Sequence, residues 1–89
     1  MGMKFNLNMK KKHEVEDWVR DNLGAEPSIR IERVRVDYGG LPREEYIFRK
    51  TGDKWILTIG LHENKTLILE VEDGIISEED AIMLMLRYS

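Results

Sequence analysis

His13, Asp17 and Asp21 are spaced four residues apart. On a helix that spacing stacks them along one face, where an imidazole and two carboxylates could ligate a metal ion. The same positions fall mid-way along the polar side of that helix, where carboxylates are ordinary. They read as a solvated face, and no metal site is assigned. His62-Glu63 supplies an imidazole and a carboxylate suited to acid–base work, but the pair sits in a bend between two strands, where polar residues are expected anyway. An enzyme with a site near His62 is therefore the remote reading. The only serines are Ser28, Ser77 and Ser89; one looks like a helix cap and one is terminal, a poor basis for a hydroxyl nucleophile paired with histidine. Gly39-Gly40 lacks the strand-then-helix setting and the further glycines of a phosphate-cradling loop. No catalytic residue and no cofactor is assigned, and the chain is read as non-enzymatic.

Arginine offers the other chemistry. Arg30, Arg35, Arg43 and Arg49 would share one sheet face if the strands alternate as described below, with Tyr38-Gly39-Gly40 nearby as an aromatic and a pliable loop. Cations for phosphate and a ring for stacking make nucleic-acid binding the alternative reading. Charge argues against it. The net charge is −3; up to Lys54 there are 12 basic and 10 acidic residues, and from Trp55 onward Lys65 and Arg87 face seven acids. A polyanion binder usually carries a basic excess, and glutamates on the arginine face would repel phosphate. A wet face with cross-strand ion pairs is the simpler account.

The elements that must position these residues follow from periodicity. Met3, Phe5, Leu7 and Met9 alternate with polar residues as in a strand with one buried face. From about Lys10 the period changes, and Val15, Trp18, Val19 and Leu23 form the stripe of an amphipathic helix closed by Gly24 and Pro27. Ile29, Ile31, Val34 and Val36 make a second strand whose parity shift predicts a β-bulge near Glu32-Arg33. Residues 37–43, rich in Gly and Pro, read as a flexible loop, with Tyr38, Gly39, Gly40, Leu41 and Arg43 exposed for a partner. Tyr46 to Val71 then forms a meander. Thr51-Gly52-Asp53-Lys54 reads as a type II′ turn pairing Thr51 with Lys54, Phe48 with Leu57 and Tyr46 with Ile59. Beyond the next bend, Leu61 pairs with Leu67, Ile59 with Leu69 and Leu57 with Val71. Ser77 followed by Glu78, Glu79 and Asp80 opens a last helix, with a hydroxyl cap and acids where the helix dipole favours them.

The expected fold class is α+β, a single small domain over residues 1–89 in the order β-α-β-β-β-β-α. It is two-layered: a mostly antiparallel five-stranded sheet carries both helices on one face. The first strand is expected to pair parallel with a neighbour at or near an edge, through a right-handed helical crossover. From Lys10 onward the helix–strands–helix order resembles the double-stranded-RNA-binding domain. That family has a basic start to its second helix, where this chain has Glu78, Glu79 and Asp80 and an extra strand, so nothing is carried over from it. No cysteine is present, which removes disulfides and thiolate metal sites. No apolar run is long enough for a membrane span, and a cytoplasmic address is the simpler expectation. High charge without Gln or Cys is the bias of heat-adapted proteins, against which five Met weigh.

The last helix carries the functional expectation. Taking Ala81, Leu84, Met85 and Tyr88 as the stripe against the sheet leaves Ile82, Met83 and Leu86 pointing elsewhere. The Trp18 helix lying alongside would cover them within the chain; a partner is the reading taken, since contiguous exposed apolar residues mark interfaces, and Met side chains suit adaptable ones. The chain is therefore read as a protein-interaction module whose partner is another protein or a second copy of itself, the latter a two-fold homodimer.

Overall fold

The computed structural model describes residues 2–24, 28–60 and 65–89. Strand β1 (Met3–Leu7) leads through one turn of 3-10 helix, Met9–Lys11, into helix α1 (Lys12–Leu23). Strands β2 (Ser28–Tyr38), β3 (Leu41–Thr51), β4 (Trp55–Gly60) and β5 (Thr66–Val71) follow, and helix α2 (Glu78–Tyr88) ends the chain. The sheet is antiparallel throughout, in the order β1-β5-β4-β3-β2.

One face holds the core. Phe5 and Leu7 of β1, Leu67, Leu69 and Val71 of β5, and Trp55, Leu57 and Ile59 of β4 are buried against Val15 and Val19 of α1 and Ala81, Leu84 and Tyr88 of α2. Alternation within each strand puts these side chains on the same side, so both helices occupy one face, as expected for a two-layer fold. The caps are made as the residue types dictate. The Asp80 amide donates to Ser77 Oγ at 3.1 Å, opening α2. The far end of α2 is tied to the start of the chain: the Asn8 amide donates to the Tyr88 carbonyl at 2.6 Å, and the Lys11 ammonium to the Arg87 carbonyl. Carbonyls that a helix terminus leaves unpaired are thus satisfied.

Several expectations need correction. β1 lies at an edge, but antiparallel to β5, with Phe5 opposite Leu69. The chain through α1 resumes at the opposite edge, as β2, so it does not return to a strand beside β1. The hairpin between β3 and β4 turns at Asp53-Lys54, with the Gly52 amide donating to the Trp55 carbonyl at 3.0 Å, and Phe48 therefore opposes Ile59 rather than Leu57. Gly52 is not among the residues with positive φ. It is small because the Trp55 indole lies where a Cβ would stand, overlapping its Nε1 and Cε2. β4 and β5 are likewise displaced by two residues, pairing Leu57 with Leu69 and Ile59 with Leu67. A two-residue displacement preserves parity, so every side chain keeps its face. The expected Leu61–Leu67 pair involves a residue outside the described ones, as do His62 and Glu63.

The greatest difference is at β2. It runs 11 residues with no bulge, in continuous register with β3 from Ser28 opposite Thr51 to Tyr38 opposite Leu41. Gly39 and Gly40, at φ 59° and 88°, form the tight turn, and both central residues of a type I′ turn need positive φ. The segment read as a flexible loop is the end of a long hairpin. Without a bulge, Arg35 moves to the helix face and Val34 to the bare face. Among the described residues β4 pairs with β3 only over residues 47–51, so the rest of the β2–β3 ribbon has no third described strand beside it.

These two turns separate in a mutational test. Gly52→Ala must displace the indole and should lower unfolding free energy by about 1–3 kcal/mol, the usual cost of overpacking. Gly39→Asn keeps a residue suited to positive φ, with nothing within 4 Å of the new Cβ, and should stay within about 0.5 kcal/mol. Urea unfolding measures both; an unchanged midpoint for Gly52→Ala would show that Trp55 is not seated over that residue.

Candidate interaction surfaces

Helix α2 is capped at its start by Ser77 and tied at its far end to the β1–α1 junction, with one side buried in the core. Ala81, Leu84 and Tyr88 are buried, whereas Ile82, Met85 and Leu86 are 59%, 59% and 80% exposed. Positions i, i+3 and i+4 are neighbours on a helix, so the three form one contiguous stripe. Of the expected set Ile82, Met83 and Leu86, the first and last stay uncovered by α1 or anything else. Met83 instead packs partly against the core, and Met85 takes its place outside. Met83 and Met85 lie roughly 100° to either side of the fully buried Leu84, and it is Met83 that turns toward the core.

A second apolar surface was not anticipated from sequence. Ile29 and Ile31 of β2 are on the helix face yet are 63% and 60% exposed, and Tyr46 on β3 is 43% exposed. Their alternation looks like that of a core strand. A signal was nevertheless present. Five strands spaced about 4.8 Å apart are at least as wide as two helices of about 10–12 Å diameter, so a helix pair set over one edge leaves the other edge strand bare.

The arginines divide. Arg30, Arg43 and Arg49 lie on the bare face, and Arg35 on the other. Glu32 is held between two of them, with Arg49 Nη1 at 3.5 Å and Arg30 Nη1 at 3.9 Å. Arg43 and Glu45 are engaged as well. On the helix side Arg33 pairs with Glu44 at 3.6 Å and stands 5.8 Å from the Tyr46 ring centre. Over residues 33–46, Arg33, Arg35 and Arg43 are balanced by Asp37, Glu44 and Glu45, leaving no net field to attract a polyanion. The expected partner loop, Tyr38, Gly39, Gly40, Leu41 and Arg43, is the tip of this neutral hairpin, with Leu41 68% exposed.

On α1, His13 is 3.9 Å from Glu16, Asp17 is 3.3 Å from Arg20, and Asp21 is 3.4 Å from the same arginine. The acids are thus occupied by a cation of their own helix. No group of three His, Asp or Glu arranged to hold a metal occurs among the described residues. An open groove of about 470 Å³ at the Gly52 end of the sheet alternates Lys4 and Lys54 with Asp53, Glu70 and Glu72, and these opposed charges converge on no one ligand class. No helix among the described residues is long and apolar enough to cross a membrane. In comparison with known proteins, the chain matches no family model, no curated protein and no solved structure.

The pairing of the arginines sets a measurable expectation. Arg49→Ala and Arg30→Ala should each cost less than about 1 kcal/mol, as exposed ion pairs do. Fluorescence anisotropy with duplex and single-stranded oligonucleotides at physiological salt should show no sub-micromolar binding. Tight, salt-sensitive binding abolished by these substitutions would establish the arginine face as a nucleic-acid surface.

Proposed function

We propose that this chain is a non-enzymatic protein-interaction module that associates with a second copy of itself through the outer stripe of α2. The observation that carries the reading is the exposure of Ile82, Met85 and Leu86 on a helix whose opposite side is buried, whose start is capped and whose far end is tied to the β1–α1 junction. A surface already rigid loses little freedom when it binds.

Self-association is supported by the distribution of charge. Glu78, Glu79 and Asp80 occupy the first turn of α2, and Arg87 the last. When two copies of the helix pack antiparallel about a two-fold axis near Met83-Leu84, Ile82 of one approaches Leu86 of the other. The acidic start of each then lies toward the Arg87 end of its neighbour, and the two helix dipoles oppose. The stripe is thus self-complementary in shape and sign.

Size-exclusion chromatography with light scattering tests this directly. The wild type should be dimeric or larger at high micromolar concentration. Ile82→Lys combined with Leu86→Lys should remove that contact and leave melting within a few degrees of wild type, because both side chains are already largely in water. A wild type that stays monomeric at that concentration, or a double variant that unfolds, overturns the proposal.

A further inference from the structure

The edge strand β2 is built unlike the other edge of the sheet. β1 is five residues long and carries Lys4 among them, the short and charged form that discourages pairing with another chain. β2 is 11 residues long without Pro, Lys or a bulge, its charges Arg30, Glu32, Arg33, Arg35 and Asp37 are of both signs, and no described strand pairs with its outer side. Two large apolar side chains, Ile29 and Ile31, stand exposed beside that free edge.

Backbone geometry says how a partner strand must meet it. A two-residue turn closes on a pair that exchanges both hydrogen bonds. With Gly39-Gly40 as the turn, that pair is Tyr38 and Leu41, so the even-numbered residues of β2 bond to β3. The N–H and C=O groups of Ile29, Ile31, Arg33, Arg35 and Asp37 therefore point outward. For β2 to pair antiparallel with β2 of a second copy, odd residues must oppose odd ones, which keeps the helix face of both copies on one side.

Side chains select among the registers that remain. Centred on Arg30, Glu32, Arg33, Arg35 or Asp37, the pairing sets a like charge opposite itself, and centred on Val34 it sets Arg33 opposite Arg35. Centred on Val36, it opposes Arg35 to Asp37 but leaves both isoleucines in water. Centred on Ile31, it places Arg30 of each copy opposite Glu32 of the other and brings the two Ile31 residues together, with Ile29 of each copy diagonal to them. We infer that β2 pairs with β2 of a second copy, antiparallel over Ser28–Val34, with Ile31 at the two-fold axis. Phe48, opposite Ile31 within each protomer, extends the apolar cluster this creates. The contact lies at the edge remote from β1, so it stands whether or not α2 makes its own.

The chain contains no cysteine, so single cysteines report the register. In the Ile82→Lys, Leu86→Lys background, which removes the α2 contact, Ile31→Cys should form disulfide-linked dimers several-fold faster than Arg33→Cys, Val36→Cys or a control at Asp21 on α1. Separately, Arg30→Glu and Glu32→Arg should each weaken dimerisation in that background, and mixing the two single variants should restore it as a heterodimer, a rescue in trans that the Arg30–Glu32 pair within each protomer would not produce. Fastest linkage at position 33 or 36 overturns the register. Linkage no faster at 31 than at the α1 control, or linkage at 31 seen only with the wild-type α2, overturns edge pairing itself. Both readouts leave the test of the α2 contact separate, since that test concerns association lost on introducing the two lysines.

Discussion

The two helices leave one strand of the five uncovered. A helix with its side chains is about 10–12 Å across and neighbouring strands are about 4.8 Å apart, so a side-by-side pair is at most about as wide as this sheet and has no width to spare. The protein uses them over β1, β5 and β4, where the inward large side chains from Phe5 onward are buried and only Met3 at the start of β1 stays exposed among them, and over part of β3. β2 is left outside the core although its sequence alternates like the strands inside it. The exposure of Ile29 and Ile31 follows from that placement.

The same constraint explains what could be read from the residues. Alternation assigned each side of β1, β3, β4 and β5 to core or solvent, and it survived two hairpin registers that were out by two residues because an even displacement cannot move a side chain across the sheet. The helix start at Ser77 was legible because a hydroxyl followed by three acids satisfies local groups that need no tertiary context. β2 was misread for the opposite reason. Its isoleucines and valines differ in parity, and a bulge would reconcile them only if all four had to be buried. The structure instead leaves Ile29 and Ile31 facing outward on one side and places Val34 on the other, with no bulge.

Gly52 illustrates how a correct expectation can rest on the wrong cause. A glycine at the first central position of a type II′ turn needs positive φ, yet here the turn falls one residue later and Gly52 is small because an indole occupies its side-chain space. The indole in turn joins β4 to the core at 5% exposure, while its Nε1 finds no hydrogen-bond partner among the described residues. Packing a large ring at that corner outweighs the buried unpaired donor, which costs about 1–3 kcal/mol against the roughly 150–250 Å² an aromatic side chain buries. Such a contact joins residues across a hairpin, so it cannot be read from residue types near the turn alone.

Placement of the two apolar surfaces bears on assembly. α2 packs near β1, tied to the β1–α1 junction through Asn8 and Lys11, while β2 forms the far edge of the sheet. Were copies to pair at both places, the two kinds of two-fold contact would close into an assembly with dihedral symmetry if the axes intersect at a half-turn divided by a whole number, right angles giving a tetramer, and would otherwise run on as an open string. An antiparallel pair of β2 strands would set its axis perpendicular to the sheet, because the helix faces must stay on one side. An α2 pair packed across its outer stripe would set its axis through the helix layer, and the twist between β1 and β2 accumulates over five strands at roughly 20–25° per neighbour. With both proposed contacts made, that accumulated rotation would decide whether copies of this chain close upon themselves.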